Sequence, residues 1–189
     1  IGVGLVGSEM CIRDRSDCFW ALRRFDAART MIEAAAEQIR CAGLDTVLSD
    51  CLRSMARLET QLGSAIKAEH LLEEAAEISD ELGDALGHAT ILLEQARSRF
   101  RAGDYTTALE FVRQSIFRHT GLGALSGEAR AYAFLIRCLY ELGDYTELAN
   151  QTKEAVRVNE VAGRPTETAS CLHFACRACI ALEDYQRAL

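Results

Sequence analysis

The sequence predicts an all-α chain, an α-solenoid of stacked antiparallel helix hairpins, and three observations carry the prediction. Glycines recur 40 residues apart in two interleaved registers, Gly43, Gly83, Gly123 and Gly163 in one and Gly63, Gly103 and Gly143 in the other. Between them the apolar residues follow helical spacing, as in Leu48, Cys51, Leu52, Met55 and Ala56, or Tyr132, Leu135, Ile136 and Leu139. No stretch carries the Val/Ile/Thr-rich alternation of a half-buried strand. So long and regular a period marks a repeated supersecondary unit in place of one globular core around a cleft.

Each unit holds two helices. The first occupies residues 44–62, 84–102, 124–142 and 164–182 in successive copies. The second comes after each Gly63-type glycine, with Ile66, His70, Leu71, Ala75, Ile78 and Leu82 in one copy and Tyr105, Ala108, Leu109, Val112 and Ile116 in the next. Glycine suits the left-handed turn that ends a helix. The aspartates of Gly103-Asp104-Tyr105 and Gly143-Asp144-Tyr145 are placed to accept from the free N–H groups of the next helix. Asp144 with Glu147 reads as a capping-box variant, Ser64 and Asp184 hold the same cap position, and Arg24 does not. The single proline, Pro165, sits at a helix start, where its missing N–H does no harm.

Small residues share columns through the repeats: Ala28, Ala68, Ala108 and Ala188, broken at Leu148; Ala35, Ala75, Ser115 and Ala155; Ala56, Ala96, Ile136 and Cys176. They predict close helix approach, with Leu72 and Val112 filling the space between units. One hairpin leaves half of its apolar surface wet, so several must stack.

The runs Leu135-Ile136, Leu139, Gly143-Asp144-Tyr145, Ala149 and Ala96, Gly103-Asp104-Tyr105, Ala108, Ser115 resemble tetratricopeptide repeats. The resemblance covers about residues 16–189 and implies a right-handed superhelix that binds proteins. The 40-residue period exceeds the family's usual length and is similar to long-period repeats of bacterial signalling proteins, such as the sensor arrays of large transcriptional activators or diguanylate cyclases.

Residues 1–15 fit no copy of the repeat, and Met10-Cys11-Ile12-Arg13-Asp14-Arg15 resembles a translated sequencing adapter. They are expected to be a non-native leader, set aside from fold reasoning. At the other end, Glu183 to Leu189 opens a second helix and stops within two turns, so the array is expected to be truncated there.

A net charge of −7 makes the chain a poor non-specific ligand for nucleic acid or an anionic membrane. No secretion signal accompanies the eight cysteines; without Cys11 seven remain, which points to reduced thiols and a cytoplasmic location. Cys171, His173, Cys176 and Cys179 have ligand-like spacing, but Cys171 and Cys176 fall in packing columns, so packing is expected there and no metal or cofactor. Gly83-Asp84-Ala85-Leu86-Gly87 joins two helices without a preceding strand and makes a poor nucleotide loop. The acidic residues Glu73, Glu74 and Glu81 read as a solvated helix face. No catalytic constellation stands out, and the segment is expected not to be an enzyme.

One charged column keeps the period: Arg57, Arg97, Arg137 and Arg177, each after the small residue of a first helix. By the resemblance, this column faces a concave groove with Arg53, Leu93, Ala133 and His173, and with Thr60, Phe100, Tyr140 and Ile180. Guanidinium forks suit carboxylates or phosphates, and Phe100 and Tyr140 supply contact area. The expected partner is a protein or peptide, acidic by charge complementarity. A competing reading makes the arginines struts, paired with Glu74, Glu94 or Glu110 of an adjacent helix. A sensory region of a larger signalling protein is the alternative function, and a helical-bundle enzyme ranks last. Unfinished hairpins at the ends predict self-association.

Overall fold

The computed structural model describes residues 25–182. The expected leader at 1–15 and the positions Arg24, Glu183, Asp184 and Ala188 lie outside the described residues. Eight α-helices fill the described chain: α1 Phe25–Ala42, α2 Asp45–Leu62, α3 Ala65–Glu81, α4 Ala85–Arg101, α5 Tyr105–Gly121, α6 Leu125–Leu142, α7 Tyr145–Val161 and α8 Pro165–Ala181. No strand occurs among the described residues. The first helices of the hairpins are α2, α4, α6 and α8, and the period of 40 is kept at their starts to the residue.

The helix ends form as the punctuation predicts. Gly63 adopts φ 83° and its N–H donates to the Thr60 carbonyl, while the Ser64 N–H reaches back to Glu59. Gly143, at φ 75°, repeats this with Tyr140 and Leu139. A side chain at such an angle meets its own carbonyl, which is why glycine holds the position. Asp104 accepts from the Thr107 N–H at 3.2 Å and Asp144 from the Glu147 N–H at 3.0 Å. Pro165 stands in the first turn of α8. Two cap expectations need correction. Ser64 makes no side-chain cap bond. The Glu147 carboxylate does not complete a capping box, because both its oxygens accept from Arg113 at 2.7 Å.

The described residues fall into two compact units divided between Glu94 and Gln95, within α4. In the first unit, Ala28, Ile32, Ala35, Leu52, Ala56, Leu72 and Ala75 form a continuous buried core. The Ser49 hydroxyl donates to the Ala75 carbonyl at 3.1 Å and shares a 2.9 Å hydrogen bond with Ser79, tying α2 to α3. The Cys51 thiol points at the Ile32 carbonyl of α1, 3.6 Å away. Glu59, 4% exposed, is neutralised by Arg29 of α1 at 2.8 Å.

In the second unit, Val112, Leu135, Ile136, Leu139, Leu148, Ala155 and Val158 are buried. The Asn159 amide of α7 donates to the carbonyls of Ala129, at 3.1 Å, and Ala155, at 2.8 Å. Leu109 and Leu139, both buried here, hold the positions that Arg29 and Glu59 hold two repeats earlier. The positions of a partly buried ion pair in one unit are thus held by buried leucines in the other. The small-residue columns are buried as predicted, except that Cys176 is only half-buried.

Candidate interaction face

Within the second unit, α6 packs against α7 and also against α8, so the first helices of successive hairpins are neighbours. Three side chains on them recur at the repeat interval and interleave. The Arg137 guanidinium of α6 lies over the Phe100 ring of α4, 4.7 Å from its centroid. The Arg177 guanidinium of α8 lies over the Tyr140 ring of α6 at 4.6 Å. Arg97 approaches Phe134 at 5.8 Å. Cation and ring attract because the ring face is electron-rich, an effect of about 0.5–1 kcal/mol at exposed sites.

Each ring is held in turn. Phe100 packs on Tyr105 at 5.0 Å and on Phe134 at 5.2 Å. Tyr140 packs on Tyr145 at 5.8 Å and on Phe174 at 5.2 Å. Phe134 and Phe174 are additions to the face expected from the sequence, although their 40-residue spacing is there to read. The result is a pair of equivalent shelves, each an arginine lying on an aromatic cluster from its own and the preceding hairpin.

The ion pairs around the shelves bear on Arg137 and Arg177 of the arginine column. Arg137 and Arg177 are exposed, and neither forms an ion pair among the described residues. Two ion pairs join second helices of successive hairpins: Arg40 of α1 with Glu74 of α3, and Arg113 of α5 with Glu147 of α7, each at 2.7 Å. Glu74, expected as a partner for the column, is therefore occupied by Arg40. A guanidinium over a ring and without a carboxylate partner still has N–H donors to offer, and those are what a carboxylate or phosphate engages.

The remaining column positions divide. Arg57 is half-buried on α2, in the first unit, and Thr60 stands at the repeat position of Phe100 and Tyr140. Thr60 is buried and its hydroxyl donates to the Ala56 carbonyl at 2.8 Å. Leu93 is fully buried, so Leu93 and Thr60 belong to the core and not to a groove surface. Arg53 is bonded to Asp50 on its own helix. His173 is exposed and touches the Phe174 ring at 5.6 Å, and Ile180 is half exposed.

Of the cysteine cluster, Cys171 and Cys179 are buried, Cys176 is half-buried, and the exposed His173 ring lies 5.6 Å from that of Phe174. Burial pushes the Cys171 thiol up to about 11 and the Cys138 thiol up to about 12, so neither is a thiolate at neutral pH. Asp84 accepts from the Gly87 N–H at 2.9 Å, so the Gly83–Gly87 segment is a helix cap. No helix among the described residues is long and apolar enough to cross a membrane.

Residues 46–116 match the family of the tetratricopeptide repeat. No curated protein matches the chain in sequence. Solved structures share its fold at low identity. BtubC from P. vanneervenii is 20% identical, with a TM-score of 0.79 over 94% of this chain and 74% of that one. A Rap protein in complex with competence and sporulation factor is 13% identical, with a TM-score of 0.78 over 100% of this chain and 62% of that one. A signal transduction ATPase with a tetratricopeptide repeat sensor, from Pyrococcus horikoshii, is 14% identical, with a TM-score of 0.78 over 95% of this chain and 28% of that one.

Proposed function

Residues 46–116 belong to the tetratricopeptide-repeat family, and from that premise we propose that the chain is a non-enzymatic interaction module whose second unit binds an acidic segment of a partner protein. The observation that carries the reading is the pair of exposed arginines, Arg137 and Arg177, stacked on Phe100 and Tyr140 and paired with no carboxylate among the described residues. In a chain of net charge −7, two such cations make a local site of opposite sign. Their rings are already ordered by neighbouring aromatics, so little conformational freedom is lost on binding.

A second reading places the module in a cytoplasmic signalling protein, where occupancy of this face is relayed to an output domain. It is favoured by two of the structural neighbours, the Rap protein that holds competence and sporulation factor and the ATPase with a repeat sensor. The two readings share the binding step and differ in its downstream effect.

The test is a titration of the chain with fluorescent peptides of equal length, one acidic, one neutral and one basic, then with the doubly reversed variant Arg137→Glu/Arg177→Glu. Preferential binding of the acidic peptide, lost in the variant while its melting temperature is kept, supports the reading. Equal binding of all three peptides, or an acidic peptide held equally well by the variant, rejects it.

A further inference from the structure

His119, near the end of α5, takes no part in the arginine shelves. It is fully buried. Its Nδ1 lies 2.8 Å from the Ser115 carbonyl oxygen and 3.2 Å from the Ser115 hydroxyl. A carbonyl oxygen can only accept, so Nδ1 carries the proton and Nε2 is left as a bare lone pair. No hydrogen-bond partner reaches Nε2 among the described residues.

The ring edge bearing Nε2 is pressed into α6 at Gly127. A Cβ on that glycine would fall 1.9 Å from His119 Cδ2 and 2.1 Å from Nε2, so the imidazole occupies the space a side chain would take. The charged groups whose fields reach the ring both come from α6, Glu128 and Arg130, and they act in opposite senses. Glu128 is engaged by the Thr120 hydroxyl at 2.8 Å. Burial is the largest influence and holds the imidazole below its ordinary range, with Arg130 adding to it and the Ser115 carbonyl and Glu128 opposing it.

We propose that His119 makes the α5–α6 junction acid-sensitive: a second proton arriving at Nε2 meets no acceptor, and the charged ring leaves the Gly127 recess and loosens the first turn of α6. This joint between hairpins is separate from the shelves that bind peptide, so either role can fail without the other. Repeat equivalents of His119 are Ile39, Ser79 and Asn159, all buried and none able to titrate near neutrality. At this column, then, a histidine occurs only at the α5–α6 junction among the described ones.

Linkage fixes the sign. In the unfolded chain the imidazole takes up its proton near pH 6.5, and in the folded chain it resists until a lower pH. Stability is complete above that range and is lost as pH falls below it, until the folded-state value is passed.

The test compares the wild-type chain with His119→Asn, which copies the residue at position 159. Thermal melts between pH 7.5 and 5.0 are expected to show the wild-type folding equilibrium losing up to about tenfold per pH unit within the window, and the variant losing less. Amide exchange at pH 5 is expected to accelerate across the α5–α6 joint while α7 and α8 keep their protection. An NMR titration of the His119 ring in the folded wild-type chain decides the matter even if the variant fails to fold. A ring that titrates at or above the ordinary histidine range overturns the proposal, and so does a variant with the wild-type pH slope.

Discussion

Arg177 lies 4.6 Å above the ring of Tyr140, and Tyr140 stands three residues after Arg137, which lies in the same way above Phe100. The α6 hairpin thus supplies both the cation over the ring of α4 and the ring beneath the cation of α8. The arrangement predicts that ring and charge act together. Tyr140→Ala should weaken acidic-peptide binding about as much as Arg177→Glu, whereas Tyr140→Phe, which keeps the ring, should leave the affinity within about twofold. Isothermal titration of the three variants checks this. A Tyr140→Ala chain with wild-type affinity would remove the shelf from the account.

The caps predict a contrast between positions that look alike in sequence. Asp144→Ala should cost about 1 kcal/mol, typical of a lost N-cap bond, whereas Ser64→Ala should change little, because Ser64 makes no such bond. Denaturant midpoints with unchanged slopes measure both. Asp104 adds a pH arm. The Thr107 side chain and N–H hold its carboxyl below the usual range, so its contribution is present at neutral pH and disappears as pH falls through the low carboxylate range. Asp104→Asn should flatten that part of the acid-unfolding profile.

Gly127 admits no side chain while His119 is in place. Gly127→Ala should destabilise by about 1–3 kcal/mol, the usual cost of overpacking a filled core. Shrinking the neighbour should recover part of that loss, so the cost of Gly127→Ala in a His119→Ala background should be smaller. A double-mutant cycle reads the coupling, and strict additivity would mean that the two side chains do not contend for one space.

The Arg29–Glu59 pair predicts a third contrast. Glu59 is nearly inaccessible and Arg29 about a third exposed. Arg29→Ala should cost about 2 kcal/mol, somewhat under the ~3–5 kcal/mol of a fully buried broken pair because water still reaches one side. Arg29→Leu/Glu59→Leu, which copies Leu109 and Leu139, should regain wild-type stability or exceed it. Thermal unfolding of both variants distinguishes a needed charge pair from a replaceable one.

Much of the fold is legible because glycine and aspartate act locally. A left-handed turn and an N-cap depend on the residues beside them, so Gly63, Gly143, Asp104 and Asp144 announce helix ends without tertiary information. The site is half legible. The periodicity of Arg97, Arg137 and Arg177 can be read, yet what each guanidinium faces depends on the neighbouring hairpin, and the part played by Phe134 and Phe174, whose spacing is visible, emerges only with the packing. Ser64 misleads because a capable side chain need not turn toward the helix it precedes. His119 escapes notice because no other histidine shares its column, and its meaning rests on an absent Cβ at Gly127, eight positions onward in the next helix.

The recess at Gly127 has a consequence for how such a chain can change over generations. Excising 40 residues between Gly83 and Gly123 would splice one glycine register cleanly onto the next copy, preserving every helix boundary. Ser79 would then inherit the hollow that an imidazole fills, and the lost volume would leave a void at the new seam. Copies that are interchangeable in backbone have thus become individual in their side chains, and recombination between them is no longer neutral.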